Sequence, residues 1–348
     1  MFDVFTFPGY GAREMSKRKD SPVVQAIEAL LAGTRSVSAG QVAREAGVTR
    51  QAAHYHLRRL TEQGRLRRIG AGRGARYEPV FDIERTYSIP GLAEDLAWRD
   101  LVAALPELSS SEVAFRANRF AFTEMVNNAN EHSGGSSVEI GVATTPRSWF
   151  RVVDDGVGVF RHFASRLGLP DEAAAAFELT KGKRTTAPDG HSGEGIFFTS
   201  RLVNRLGLEA NGIRLIVDND LGDFAIGGSV VDVGTTVWWE VDPQAARDTT
   251  KVFAEFTDED YSFTKTRIPL RALGGASFIS RDEAKRVTDE LERFEEVVLD
   301  FEGVTEVGRA FVDELFRVWA PRHAGTRLLP VSMSPLVERM VRSVQPEV

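Results

Sequence analysis

Apolar residues recur with helical spacing in the first part of the chain. Over PVVQAIEALLAG, Val23, Val24, Ile27, Leu30 and Leu31 share one face and Gly33 ends the run, which predicts a first helix. SAGQVAREAG predicts a short second helix capped by Ser38 and closed by Gly47. A third follows the candidate cap Thr49. In RQAAHYHLRRLTEQG, Ala52, Ala53, Leu57 and Leu60 can line a buried side, leaving Arg50, Gln51, His54, Tyr55 and Arg58 as the more exposed set. Two short strands are then expected, Leu66-Arg67-Arg68-Ile69 and Arg76-Tyr77-Glu78, joined by the turn GAGRGA that carries Arg73.

Beyond a mixed connector at 81–99, SSSEVAFRANRFAFTEMVNNANEHSGG predicts a long helix with a serine cap and Gly134-Gly135 at its end. Phe122, Met125, Val126 and Ala129 fall on its core face, and Glu124, Asn128 and His132 step by fours along a neighbouring edge. Two strands follow, SSVEIGVATT and WFRVVDDG, the second running into the glycine-spaced DDGVGVF. TKGKRTTAPDGHSGEGIFFTSRLV reads as a mobile Gly/Lys-rich loop leading into a helix that begins near Gly193 to Gly195. DNDLGDFAIGGS opens like a calcium loop but has Asp223 and Ser229 where that loop needs Gly and Glu, so a hairpin is expected instead. After the acidic FTDEDYS, strands and helices alternate to the end, with Ser280 and Glu283 as a capping box and Ser334-Pro335 as a second helix start. Such alternation implies a small sheet backed by helices.

Composition narrows the chemistry. The 348 residues make two or three domains, and 42% hydrophobic with 27% charged residues excludes wholesale disorder, collagen and coiled coil. No apolar run approaches the roughly 18 residues of a membrane helix, and the start lacks signal-peptide order, so a cytoplasmic protein without membrane contact is expected. The absence of cysteine removes disulfides, thiolate metal sites and cysteine nucleophiles. His54 and His56 diverge by about 200° on a helix and cannot share an ion unaided. Charge is uneven. The net charge is −7, yet residues 1–80 hold fourteen Lys or Arg against seven Asp or Glu. A basic module joined to an acidic body fits a polyanion partner for the first part, or equally a solvated basic face.

Residues 21–80 resemble the winged helix-turn-helix domains of bacterial transcription regulators, with VAREAGVTRQAAHYHLRRL as the recognisable core. The resemblance implies DNA as partner: Arg50, Gln51, His54, Tyr55 and Arg58 would face the major groove and Arg73 of the wing a phosphate or the minor groove. A protein-contact role for the same fold stays open.

Residues 100–245 resemble the ATP-binding superfamily of gyrase, histidine kinases, heat-shock chaperones and mismatch-repair ATPases (GHKL, the Bergerat fold). Glu-x-x-x-Asn-Ala-x-x-His is met by Glu124, Asn128, Ala129 and His132, Asp-x-Gly-x-Gly by Asp154, Gly156 and Gly158, and the third motif by Gly193 and Gly195. The resemblance implies ATP with Mg²⁺ held by Asn128, adenine recognition by Asp154, phosphate binding at the helix start, and Glu124 as base for water. Lys181, Lys183 and Arg184 on the preceding loop would contact phosphate as a lid, or equally form a flexible cationic surface loop. HSGEGIF departs from the family pattern, with His191 for a glycine and Glu194 in the phosphate turn, which opposes a triphosphate unless the carboxylate turns outward or meets metal.

Residues 263–348 resemble the STAS-like domains found after GHKL domains, through VVLDFEGVTEVGRAFVDELF; Gly308-Arg309-Ala310 offer no hydroxyl to phosphorylate. The expected fold is α+β and multidomain: a tail at 1–20, a winged helix at 21–80, a connector at 81–99, a two-layer α/β sandwich at 100–245, a linker at 246–262 and a small α/β domain at 263–348. Two functional readings follow. One is a DNA-binding regulator, with a homodimer and a protein partner at the STAS-like domain among its expected contacts, in which nucleotide state controls the winged helix. The other is a soluble ATPase or protein kinase acting on a partner protein.

Overall fold

The computed structural model describes residues 22–34, 36–62, 65–144, 147–182, 194–258, 262–271, 276–289 and 291–344. The expected tail at 1–20 lies outside them. The chain divides into two compact units, Met1–Val80 and Phe81–Val348.

The first unit holds helices α1 (Pro22–Gly33), α2 (Ala39–Glu45) and α3 (Arg50–Glu62), then strands β1 (Leu66–Ile69) and β2 (Arg76–Pro79). Helix α2 starts in a full capping box, Ser38 with Gln41, and the Ala52 N–H donates to Thr49 Oγ1 at 3.2 Å ahead of α3. The antiparallel β1–β2 hairpin is tied to the loop before α2 by Val37 and Tyr77, which exchange both backbone hydrogen bonds at 2.8 Å. Ile27, Val37, Val42, Ala53 and Leu57 are fully buried between the helices and the hairpin.

The second unit is built on a seven-stranded antiparallel sheet. Its elements run β3 (Ile83–Ser88), α4 (Glu94–Ala104), α5 (Glu112–His132), β4 (Ser137–Ala143), β5 (Ser148–Asp154), α6 (Val159–Leu167), α7 (Glu172–Lys181), α8 (Gly195–Leu202), β6 (Arg205–Ala210), β7 (Ile213–Asp218), β8 (Asp223–Gly228) and β9 (Thr235–Val241), with β9 inserted between β5 and β6. The segment expected to be a connector is therefore structural: β3 is the edge strand, paired with β4 along its whole length. One sheet face, with Ile140, Phe150, Val152, Leu206, Leu208 and Trp239, packs on Phe122, Met125 and Val126 of α5 in a single core. That makes a two-layer sandwich, since alternate strand residues point to one side. The other face is a buried polar and aromatic layer in which the Arg205 guanidinium lies 5.6 Å from the Trp238 ring. The calcium-loop lookalike is the β7–β8 hairpin.

The unit continues through α9 (Thr249–Phe256), β10 (Lys265–Pro269), β11 (Ser277–Phe278), α10 (Arg281–Thr288), β12 (Glu296–Asp300), β13 (Glu306–Val307), α11 (Arg309–Asp313, prolonged by a π-helical turn), β14 (Arg327–Val331) and α12 (Pro335–Arg342). Strands β10, β12 and β14 form a parallel sheet, and Ser280 and Ser334 cap the helices expected of them. The expected linker is also corrected. Helix α9 buries Val252 and Phe256, and Phe253 stacks on Phe198 of α8 at 4.3 Å. Phe197, Phe198, Phe256, Phe263 and Phe294 share one core with the C-terminal strands, so α8 is packed directly onto the C-terminal part. No helix among the described residues is long and apolar enough to cross a membrane.

Candidate functional site

Helix α5 carries Glu124, Asn128 and His132, all half-buried, along the edge beside its core stripe. Asp154 ends β5, flanked in register by Val138 of β4 and Thr235 of β9. Its Oδ1 accepts from the backbone N–H of Gly156 at 2.9 Å and of Thr235 at 3.2 Å. Burial pushes its carboxyl above the usual carboxylate range, while those two donors and the Thr235 hydroxyl pull the other way. The neighbouring acid has a different task. Asp155 accepts from the hydroxyls and N–H groups of Ser136 and Ser137 at 2.7–3.2 Å, which holds it well below the usual range and fastens the turn to the start of β4.

The glycines serve close approach. A Cβ on Gly156 would collide with the backbone carbonyl of Ser133, just past α5. Gly158 has φ +86 and leads into α6. Gly195 begins α8 facing Glu124, and a Cβ there would collide with the Glu124 carboxylate. The first and third motifs thus touch.

Between these elements lies a cleft with about 520 Å³ of free space, its open mouth included. Asn128, His132, Asp154, Gly158 and Ile196 line it together with an apolar wall that includes Met125, Val152 and Leu208. Three polar members were not singled out from sequence. Ser133 and Thr235 are brought in by backbone geometry and sheet register, which leave no local signal. His162, four residues after Gly158, carried one only through its nearness to the Asp154 turn.

One expectation changes here. Lys181 is not on a lid: it is fully buried at the end of α7, paired with Glu178 at 2.8 Å and donating to the carbonyls of Arg286 and Asp289 at 3.3 and 3.1 Å. A buried ammonium persists only with such partners, and these tie α7 to the C-terminal part. Lys183 and Gly193 lie outside the described residues. Among the described residues no cluster of three or more His, Cys, Asp or Glu could hold a metal. The oxygen donor suited to Mg²⁺ is the Asn128 amide, which would need ligand phosphates to complete the shell.

In the first unit the outward residues of α3 stand as expected: Arg50, Gln51, His54, Tyr55 and Arg58 are exposed, Tyr55 by 63%. His54 Nε2 lies 3.3 Å from the Tyr77 hydroxyl of β2, and Arg58 pairs with Glu62 at 2.8 Å. Such an exposed pair is weak and leaves the guanidinium available. The side chain of Arg73 lies outside the described residues.

Comparison with known proteins agrees with the two ends of the chain. Residues 20–67 match the family described as a helix-turn-helix domain, and residues 283–338 match the STAS-like domain of unknown function. The chain carries both domains in an α+β, multidomain fold. No curated protein matches it. A crystal structure from Silicibacter sp. TM1040, assigned to the ICLR transcriptional regulators, is 10% identical, with 67% of this chain and 89% of that one covered. Its TM-score of 0.20 carries no argument about fold or function.

Proposed function

We propose that the chain is a DNA-binding transcriptional regulator whose middle domain is a GHKL-type nucleotide sensor for ATP with Mg²⁺. The observation that carries this reading is convergence. Asn128 and His132 of α5, Asp154 and Gly158 of the turn after β5, and Ile196 of α8 come from separate segments and line one cleft. Asp154 has one oxygen occupied by two backbone donors, an arrangement suited to orienting its carboxylate toward an exocyclic amine. The start of α8 supplies amides and dipole for phosphate, and Asn128 an amide oxygen for the metal.

Occupancy has a direct route to the STAS-like domain, because α8 ends among the C-terminal aromatics. A ligand that binds two positions of α8 with different affinity shifts the balance between them. The helix-turn-helix unit supports the DNA half: its exposed α3 row fits the major groove, and pairing of two copies would match a two-fold operator. The second reading, a soluble ATPase or kinase, is favoured by one observation, the Glu124 carboxylate against Gly195 at the proposed phosphate end.

The test is fluorescence anisotropy on genomic fragments with and without ATP and Mg²⁺. A change in DNA affinity of at least about threefold, retained in Glu124→Ala, supports occupancy sensing. Nucleotide-independent DNA binding contradicts the switch, and loss of the effect in Glu124→Ala moves the reading to the enzyme.

A further inference from the structure

His162 belongs to none of the motifs, yet it lines the same cleft as Asp154. It stands in the first turns of α6, where its N–H donates to the Gly158 carbonyl at 3.1 Å. Its ring faces that of His132, centroids 5.9 Å apart and planes inclined by 29°.

The two imidazoles sit at the Asp154 end of the cleft. His132 immediately precedes Ser133, whose carbonyl accepts the Val157 N–H at 2.9 Å from within the Asp154 turn. Glu124, against Gly195, lies about 12 Å away along α5 at ~1.5 Å per residue. A nucleotide with its phosphates at Gly195 and its base at Asp154 therefore places the base beside the histidines. Charged groups that act on His162 include His132 on α5 and Arg166 on its own helix; Asp154 at the end of β5 lines the same cleft, and the chain neighbour is Arg161. The last pairs with Glu172 of α7 at 3.2 Å. Burial first, then the positive neighbours His132 and Arg166, hold the His162 pKa below its ordinary 6.5.

We propose that His162 and His132 form the base-contacting wall of the cleft, and that a purine enters only when His162 is uncharged, so that acidification expels it. The proposal rests on the nucleotide reading of the site. A purine laid against the imidazole removes its remaining water, which disfavours the imidazolium, whereas a neutral ring offers its face to the base. Binding then lowers the His162 pKa further and releases a proton. Affinity is flat above the free-state pKa and falls below it, by up to about tenfold per pH unit. A phosphate contact would have the opposite sign, because an anion holds the imidazolium and affinity rises on acidification.

The experiment is calorimetric titration of the full chain with adenosine and with ADP between pH ~8 and ~5, a range that brackets histidine titration. Adenosine has no phosphate to titrate and reads the base alone. Both ligands should bind alike at pH ~8 and ~7 and lose affinity severalfold toward pH ~5, and His162→Gln should remove that pH dependence whatever its own affinity at pH ~8. His162→Asn serves as second variant if thermal melting shows that the Gln form does not fold. Flat affinity, a gain on acidification, or an undiminished loss in both variants overturns the proposal and leaves the nucleotide site standing. Failure of both ligands to bind at any pH overturns the site and the proposal together.

Discussion

The two units place their candidate ligand-facing residues in opposite relations to the core. In the helix-turn-helix unit, Tyr55 is 63% exposed on α3, opposite the buried Ala53, Leu57 and Leu60. In the larger unit, Asp154 is 8% exposed, and the cleft around it shares Met125, Val152 and Leu208 with the sandwich core. Recognition and stability are therefore separable in the first unit and joined in the second.

Substitutions in the two units should expose that contrast. The largest effect is expected from Gly156→Ala, because its Cβ meets the Ser133 backbone, which cannot move without shifting α5. Chemical denaturation should show a loss of about 5 kcal/mol or more in the larger unit, with the helix-turn-helix transition unchanged. Phe198→Ala comes next, at about 3–5 kcal/mol, since it empties a position stacked on Phe253 between α8 and the C-terminal core. Lys181→Ala should cost about 2–3 kcal/mol by removing the closer of the two cations that Glu178 meets, Arg293 at 3.3 Å being the other, and Lys181→Met, which keeps the volume, should still lower the melting point.

Asp154→Asn is expected to separate the two properties within the cleft. The folded-state pKa of Asp154 is raised, so its charged form is disfavoured by folding, and the parent loses stability as pH rises through that value. The amide carries no such penalty. At neutral pH the variant should melt at the parent temperature or slightly above, while nucleotide binding is lost. The smallest change in stability is expected from Arg50→Ala, within about 0.5 kcal/mol by thermal melting. Its DNA affinity should nevertheless drop by about 1–3 kcal/mol in a mobility-shift titration.

The same contrast explains what was legible in the sequence. The helix-turn-helix unit is built from short-range signals: the Ser38–Gln41 box, the Thr49 cap and the apolar rows of α1 and α3 each act within a few residues. In the larger unit, the stripe on α5 and the Ser280 box were legible for the same reason. Long-range contacts were not. Residues 83–88, with Glu84 and Arg85 outward, become a strand only because β4 offers its edge. Lys181, beside a Gly/Lys-rich segment, has the composition of a solvent loop, and two of its hydrogen-bond acceptors lie more than a hundred residues away. Helix α9 sits before an acidic stretch that conceals Val252, Phe253 and Phe256, whose partners belong to α8. Within the cleft, the motif residues could be named from spacing, whereas Thr235 and His162 join it through the β5–β9 register and the path of α6.

The proposed function requires the cleft between α5, the Asp154 turn and α8 to hold a purine nucleotide. Calorimetric titration of the full chain with ATP and Mg²⁺, repeated on Asp154→Ala, tests it most directly. Saturable binding by the parent and its loss in the folded variant are the predicted results. No heat and no thermal shift with the parent, or equal affinity in the variant, would contradict it.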